Sequence, residues 1–200
     1  MKVRITTTEE MLGMASGNPE LHNEFIASKS ADAEKAKEEL EALSAEDLIE
    51  KSMTVFPRDT DGTPIMWDYQ IKGFFKEHLG ILMDFMEPDC KIGKAKLSRW
   101  TCKRIVDNAV FVTPRKIRLN FSGPVTTCTR PLRATTMKGD RVTLATSEAL
   151  PAGVVMEFEV ETLDPKLDEL IVKCLDFGSK KGLGQWRNSG KGTFAWIKID

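Results

Sequence analysis

Residues 182–194 read GLGQWRNSGKGTF, and this stretch limits what the C-terminal part of the chain can become. Gly182, Gly184, Gly190 and Gly192 are four of the chain's 14 glycines, packed into eleven residues. A glycine inside a helix or strand costs roughly 0.5–1 kcal/mol relative to alanine, so the cluster reads as a loop. Its flanks are regular. Residues 154–163, VVMEFEVETL, alternate cleanly from Met156 and read as a half-buried strand. Asp164-Pro165 then opens a helix, with proline in the first turn. Leu167, Leu170, Ile171, Cys174 and Leu175 share one side of it, and Gly178 is the expected stop after Phe177. Residues 193–199, TFAWIKI, form a last strand.

The loop carries chemistry as well as a turn. Gln185, Trp186, Arg187, Asn188, Ser189 and Lys191 lie between the glycines, and Lys180 and Lys181 lie just upstream. Backbone N–H groups in such a loop grip phosphates, cations add to the grip, and an indole face stacks a base. The other reading of the same residues is a glycine-rich hairpin that only turns the chain, with Trp186 and Trp196 as core aromatics.

Upstream, residues 2–8 form a β-branched strand and Gly13 and Gly17 mark turns. Residues 31–51 are strongly helix-forming and mostly charged, two short helices broken near Ser44 within a peripheral acidic insertion over 18–52. Residues 53–57 are an extended apolar run and RDTDGTP is a turn cluster. Residues 67–86 hold Ile71, Phe74, Phe75, Leu79, Leu82 and Phe85 at helical spacing, with Lys72 and Lys76 one turn apart on one face. A second insertion, basic and then hairpin, spans 87–121. Its segment KIGKAKLSRWTCKR has six cations, Lys91, Lys94, Lys96, Arg99, Lys103 and Arg104, around Trp100. That composition suits a single-stranded nucleic acid, and equally an exposed basic loop. Residues 106–121 read as a hairpin joined around Pro114, and residues 125–134 and 141–146 as further strands.

Bulk properties narrow the class. Two hundred residues, 41% apolar and 30% charged, suit one soluble domain. No apolar run reaches the length of a membrane span, and the N-terminus shows no signal-peptide core, so a cytoplasmic protein is expected. Cys90, Cys102, Cys128 and Cys174 form no CxxC pair and read as reduced thiols. Two histidines give little support to a zinc site or a histidine-based catalytic pair, and no cofactor is expected. The net charge is −1, yet residues 1–61 carry 7 Lys/Arg against 14 Asp/Glu and residues 62–200 carry 22 against 16. Such asymmetry fits an anion-binding face beside an acidic lobe, or a solvated helix.

The order strand, insertion, helix, strands, strand, helix, glycine loop, strand is a βαββαβ plan with additions. Three segments sharpen it. TDGTPIMWDYQIKGFFKEH (residues 60–78) resembles the stretch that leads into the first helix of RAMP-superfamily proteins. LPAGVVMEFEVE (150–161) resembles their P-x-G-x-x-F strand, and GLGQWRNSGKGTF their glycine-rich loop. The chain thus resembles the RRM-like backbone subunits of CRISPR effector complexes, or a virus-encoded relative of them. The resemblance implies an α+β, ferredoxin-like (RRM-like) core in a single domain over 1–200. It also implies RNA binding without catalysis and assembly along a guide RNA or docking on a larger ribonucleoprotein. RNA contacts would come from Lys72, Lys180, Lys181, Gly182, Gly184, Gln185, Trp186, Arg187, Asn188, Ser189, Gly190, Lys191 and Gly192, and from the segment around Lys94, Lys96, Arg99, Trp100, Lys103 and Arg104. The family's serine before its K-G pair is absent here, where Tyr69 and Gln70 stand, and its catalytic aspartate has no counterpart in the early loop. Two other readings are a subunit mimic that acts through protein contacts and a metal-dependent ribonuclease using Glu20, His22, Glu24 or Asp32.

Overall fold

The computed structural model describes residues 1–16, 53–85, 91–92, 95–136 and 139–199. The acidic helical insertion expected over 18–52 lies outside them. Along the described chain run β1 (Lys2–Thr7), β2 (Met11–Leu12), β3 (Ala15–Ser16), β4 (Thr54–Val55), β5 (Ile65–Trp67) and α1 (Asp68–Leu82). Then follow β6 (Lys91–Ile92), β7 (Ala95–Lys96), α2 (Cys102–Ala109), β8 (Val110–Thr113), β9 (Lys116–Arg118), β10 (Thr126–Thr136) and β11 (Gly139–Leu150). The chain closes with β12 (Val155–Thr162), α3 (Pro165–Lys181) and β13 (Phe194–Ile199). The fold is α+β, with sheets that are antiparallel except where β4 pairs β11 in parallel, and three α-helices among the described residues.

The central sheet has the order β13-β1-β12-β8, every neighbouring pair antiparallel. Its period-two pattern sorts the two faces. Val3 and Ile5 on β1, Met156, Phe158 and Val160 on β12, and Val110 and Val112 on β8 are buried. They meet Ile71, Phe75 and Leu79 of α1 and Leu167, Ile171, Cys174 and Leu175 of α3 in one core. Each such side chain contributes about 1.5–3 kcal/mol by leaving water. The alternate β12 residues, Glu157, Glu159 and Glu161, stand on the opposite, solvent side.

A second sheet stands beside the first. β10 and β11 pair along their whole length, from Thr126↔Ala149 to Thr136↔Gly139. The root of this hairpin is held by β2, through Ala149↔Leu12 and Leu150↔Met11, and by β4, through Ser147↔Thr54.

Two local expectations change. The hairpin expected over 106–121 does not form: Val106 belongs to α2, β8 pairs β12, and β9 pairs β5. Val106 has no exposed surface and supplies the core side of α2, a tertiary demand that the apolar run VFV beside it conceals. Gly178 does not end α3. The helix runs on to Lys181 and is capped by Gly182, whose φ of 87° lies in the left-handed region that glycine tolerates. Gly178 is instead where α3 crosses α1, and a Cβ there would overlap the Phe74 ring.

Candidate functional site

The glycine loop is built by its backbone. Gly182 N–H bonds to the Gly178 carbonyl, closing α3, and Leu183 N–H bonds to the Gly192 carbonyl at 2.8 Å, pinching the loop at its base. Gly192 N–H reaches the Glu10 carbonyl at 2.8 Å, and Gln185 N–H the Leu12 carbonyl at 3.4 Å. The lower half of the loop therefore lies on β2, with Gly182 and Gly192 buried. The upper half, Trp186 through Gly190, projects as a single 3₁₀ turn over Arg187–Ser189, with Trp186, Asn188, Ser189 and Gly190 exposed. Ser189 and Gly190 N–H groups are used within that turn.

Its side chains are tied to three other elements. Arg187 makes a two-pronged ion pair with Glu77 of α1, both contacts at 3.0 Å. Lys191 pairs with Glu10, and this carboxylate raises the lysine's pKa. Gln185 Oε1 accepts from Arg130 Nη2 of β10 at 2.7 Å. Both cations inside the loop are thus neutralised within the protein. Lys180 and Lys181, on the last turn of α3, have no acid partner among the described residues. They lie where the negative end of the helix favours cations.

The structure brings Lys180, Lys181 and residues 182–192 together and places Lys72 elsewhere. Lys72 turns to α2, where Nζ donates to the Asp107 carbonyl at 2.9 Å, and burial lowers its pKa. Lys76 on the same face pairs with Asp107. Of the basic segment, Arg99 pairs with Asp84, Trp100 is 90% exposed, and Lys103 and Arg104 are exposed on α2 without an acid partner among the described residues. Lys94 lies outside the described residues, and Lys96 is in β7. Arg99 and Lys103 line a second cleft with Lys76 and Glu77 of α1, and Glu77 is the residue that holds Arg187 of the glycine loop.

Beside the loop, a cleft of about 600 Å³ opens between α1, β3 and the loop base. Met14, Met66, Tyr69, Phe74 and Leu183 make its walls largely apolar, and the Glu77–Arg187 pair stands at its rim. On the other side of the loop lies a group that sequence reading missed. Arg130 is 4% exposed and sits under Trp186, its guanidinium carbon 5.4 Å from the ring centroid. Position 130 is 55 residues from Gln185, inside a strand pattern, so no local signal marks it. Cys102 and Cys174 are buried packing thiols, and burial pushes the Cys174 pKa up to about 12.

No protein-family model and no curated protein matches the chain in sequence. Among solved structures it is similar to a chain of the type III-B Cmr-beta complex bound to cognate target RNA, determined by cryo-EM. The TM-score is 0.53 at 15% identity, over all of this chain and 58% of that one. A chain of a type IV-B CRISPR complex superimposes with a TM-score of 0.46 at 11% identity, covering 98% of this chain and 88% of that one. The chain spans little more than half the length of the type III-B chain it matches, and what is shared is the fold. Among the described residues no helix is long and apolar enough to cross a membrane.

Proposed function

We propose that this chain is a non-catalytic, RAMP-type RNA-binding protein on a ferredoxin-like βαββαβ core. One observation carries the reading: a fold shared with a subunit of an RNA-bound CRISPR complex, with a cationic glycine loop between the last helix and the last strand. Strand order supports the core assignment. Read across the sheet as β13, β1, β12 and β8, the strands rank fourth, first, third and second in chain order, the arrangement two interleaved crossovers produce. The β10–β11 hairpin rises between the second and third of these strands in chain order, beside the glycine loop.

Charge decides which face the RNA follows. RRM-like sheets read bases with aromatics on the open face. Here β12 presents Glu157, Glu159 and Glu161 there, which repel phosphate. The path proposed instead runs over Lys180, Lys181 and the projecting turn around Trp186, beside the hairpin. The test is an anisotropy titration with a labelled 20-nucleotide single-stranded RNA. Replacing Lys180→Glu with Lys181→Glu should weaken binding by at least about tenfold and lower the slope of log K against log salt by about 1.4, two phosphates' worth. Circular dichroism checks that α3 survives. Absence of wild-type binding, or an unchanged slope, overturns the reading.

A second reading, docking through protein contacts, is favoured by the neutralised Arg187 and Lys191. Capture of a partner complex that persists after nuclease treatment would select it.

A further inference from the structure

We infer that Arg130 is the receptor for a phosphate-type anion at the foot of the glycine loop, with Trp186 as its cover. The inference deepens the RNA reading but stands on its own observation. Arg130 is 4% exposed, and among the described residues no carboxylate pairs with it. Its hydrogen-bond partners among the described residues are neutral: Nη1 donates to Ser147 Oγ at 2.9 Å and Nη2 to Gln185 Oε1 at 2.7 Å, while Nε has no partner among them. Ser147, having accepted from the guanidinium, is free to donate to Thr54 Oγ1 at 2.7 Å, so the hydroxyl brings no negative charge. The buried acid next in sequence, Glu148, is already used by Arg58 and by Phe56 N–H at 2.8 Å.

The guanidinium carries a delocalised positive charge into the interior. Burying it without an anion is costly, and the indole face above offsets only part of the cost. Every other cation of the loop region that is turned inward meets a carboxylate, Arg187 with Glu77 and Lys191 with Glu10. Arg130 alone of these three meets an amide and a hydroxyl. Planar, forked and two-pronged, a guanidinium matches a phosphate's oxygens.

The cover is itself under tension. Trp186 is the one non-glycine residue with positive φ among the described residues, at 55°. Such strain gathers at ligand clamps. Lifting the 186–190 turn exposes the guanidinium and relieves the tryptophan together. The phosphate then takes the place of the indole against Arg130, and the freed ring stacks the adjoining base.

Gln185→Glu tests this without emptying the site. It sets a carboxylate where the amide oxygen already accepts from Nη2, supplying internally the anion that Arg130 lacks. Full-length wild-type protein, Gln185→Glu and Arg130→Met are melted in sodium pyrophosphate and in sodium chloride at equal ionic strength. Pyrophosphate should raise the wild-type Tm and leave both variants unmoved, and Gln185→Glu should melt about 2–4 °C higher than wild type in chloride. With the 20-nucleotide RNA, Gln185→Glu should lower the salt slope by about 0.7, one phosphate on a single strand. Should Arg130→Met fail to fold, Gln185→Glu decides alone. RNA binding with a wild-type slope in Gln185→Glu overturns the anion site and leaves the RNA reading in place. A pyrophosphate response confined to wild type, with no RNA binding by any of the three, keeps the site and removes the RNA reading. A wild-type Tm equal in both salts overturns the inference.

Discussion

His78 shows how a single residue's setting decides its chemistry. The ring has no exposed surface and lies between Phe74 and Phe177, 4.1 and 5.6 Å from their ring centroids. Nδ1 meets the Phe74 carbonyl at 2.7 Å; a carbonyl only accepts, so Nδ1 carries the proton, and Nε2 is left without a partner. Burial holds the imidazole neutral and its pKa below 6.5. On unfolding the ordinary value returns. Below about pH 6.5 the unfolded chain therefore binds more protons than the native one, and stability falls as pH drops, by at most about 1.4 kcal/mol per unit. Urea melts at pH 7.5, 6.5 and 5.5 should show that decline, and His78→Phe should flatten it. An equal slope in the variant would move the linkage to another group. Sequence alone offered His78 only as one of two histidines too far apart to act together; its burial follows from the position on α1 that faces α3.

Among the elements, the α1–α3 crossing and the glycine loop divide the work of holding the site. In an open helix, Gly178→Ala would add about 1 kcal/mol from propensity. At this crossing the new Cβ meets Phe74, and overpacking costs about 1–3 kcal/mol or more. The steric term wins, so Gly178→Ala should lower the denaturant midpoint; a rise would mean that the helices slide apart freely. Arg187 is a contrasting case. Its pair with Glu77 is two-pronged, yet the side chains are 30% and 43% exposed, so Arg187→Ala should cost less than about 1 kcal/mol. The loop keeps its base through Leu183, Gln185 and Gly192 backbone bonds. A larger loss in urea melts would show that the ion pair, and not the backbone, shapes the loop. The helix and strand flanking this loop were legible from periodicity. The loop's attachment to β2 was not, because it depends on partners some 170 residues away.

At the scale of the molecule, charge is sorted by face among the described residues. The acidic lobe expected from residues 1–61 falls largely in 18–52, outside the described residues; among those described, Glu10, Glu77 and Glu148 pair with Lys191, Arg187 and Arg58. The β12 carboxylates, by contrast, crowd the solvent side of the central sheet, where among the described residues only Glu157 meets cations, Arg4 and Lys2. Photo-crosslinking of the single-stranded RNA should therefore label peptides from 180–192 and leave Val155–Thr162 unlabelled. Labelling of β12 would overturn the proposed path.

The sequence by itself determined the α+β class, the helices α1 and α3 and the glycine loop between α3 and β13. Each rests on local periodicity or on backbone freedom, which neighbours in the chain fully specify. Tertiary structure decided the rest. It spliced α2 into the expected hairpin, turned Gly178 from a helix stop into a helix contact, and carried Lys72 away from the loop. It also brought Arg130 under Trp186. These are outcomes of which distant side chains meet, and charge compensation and steric exclusion act through space without regard to separation along the chain.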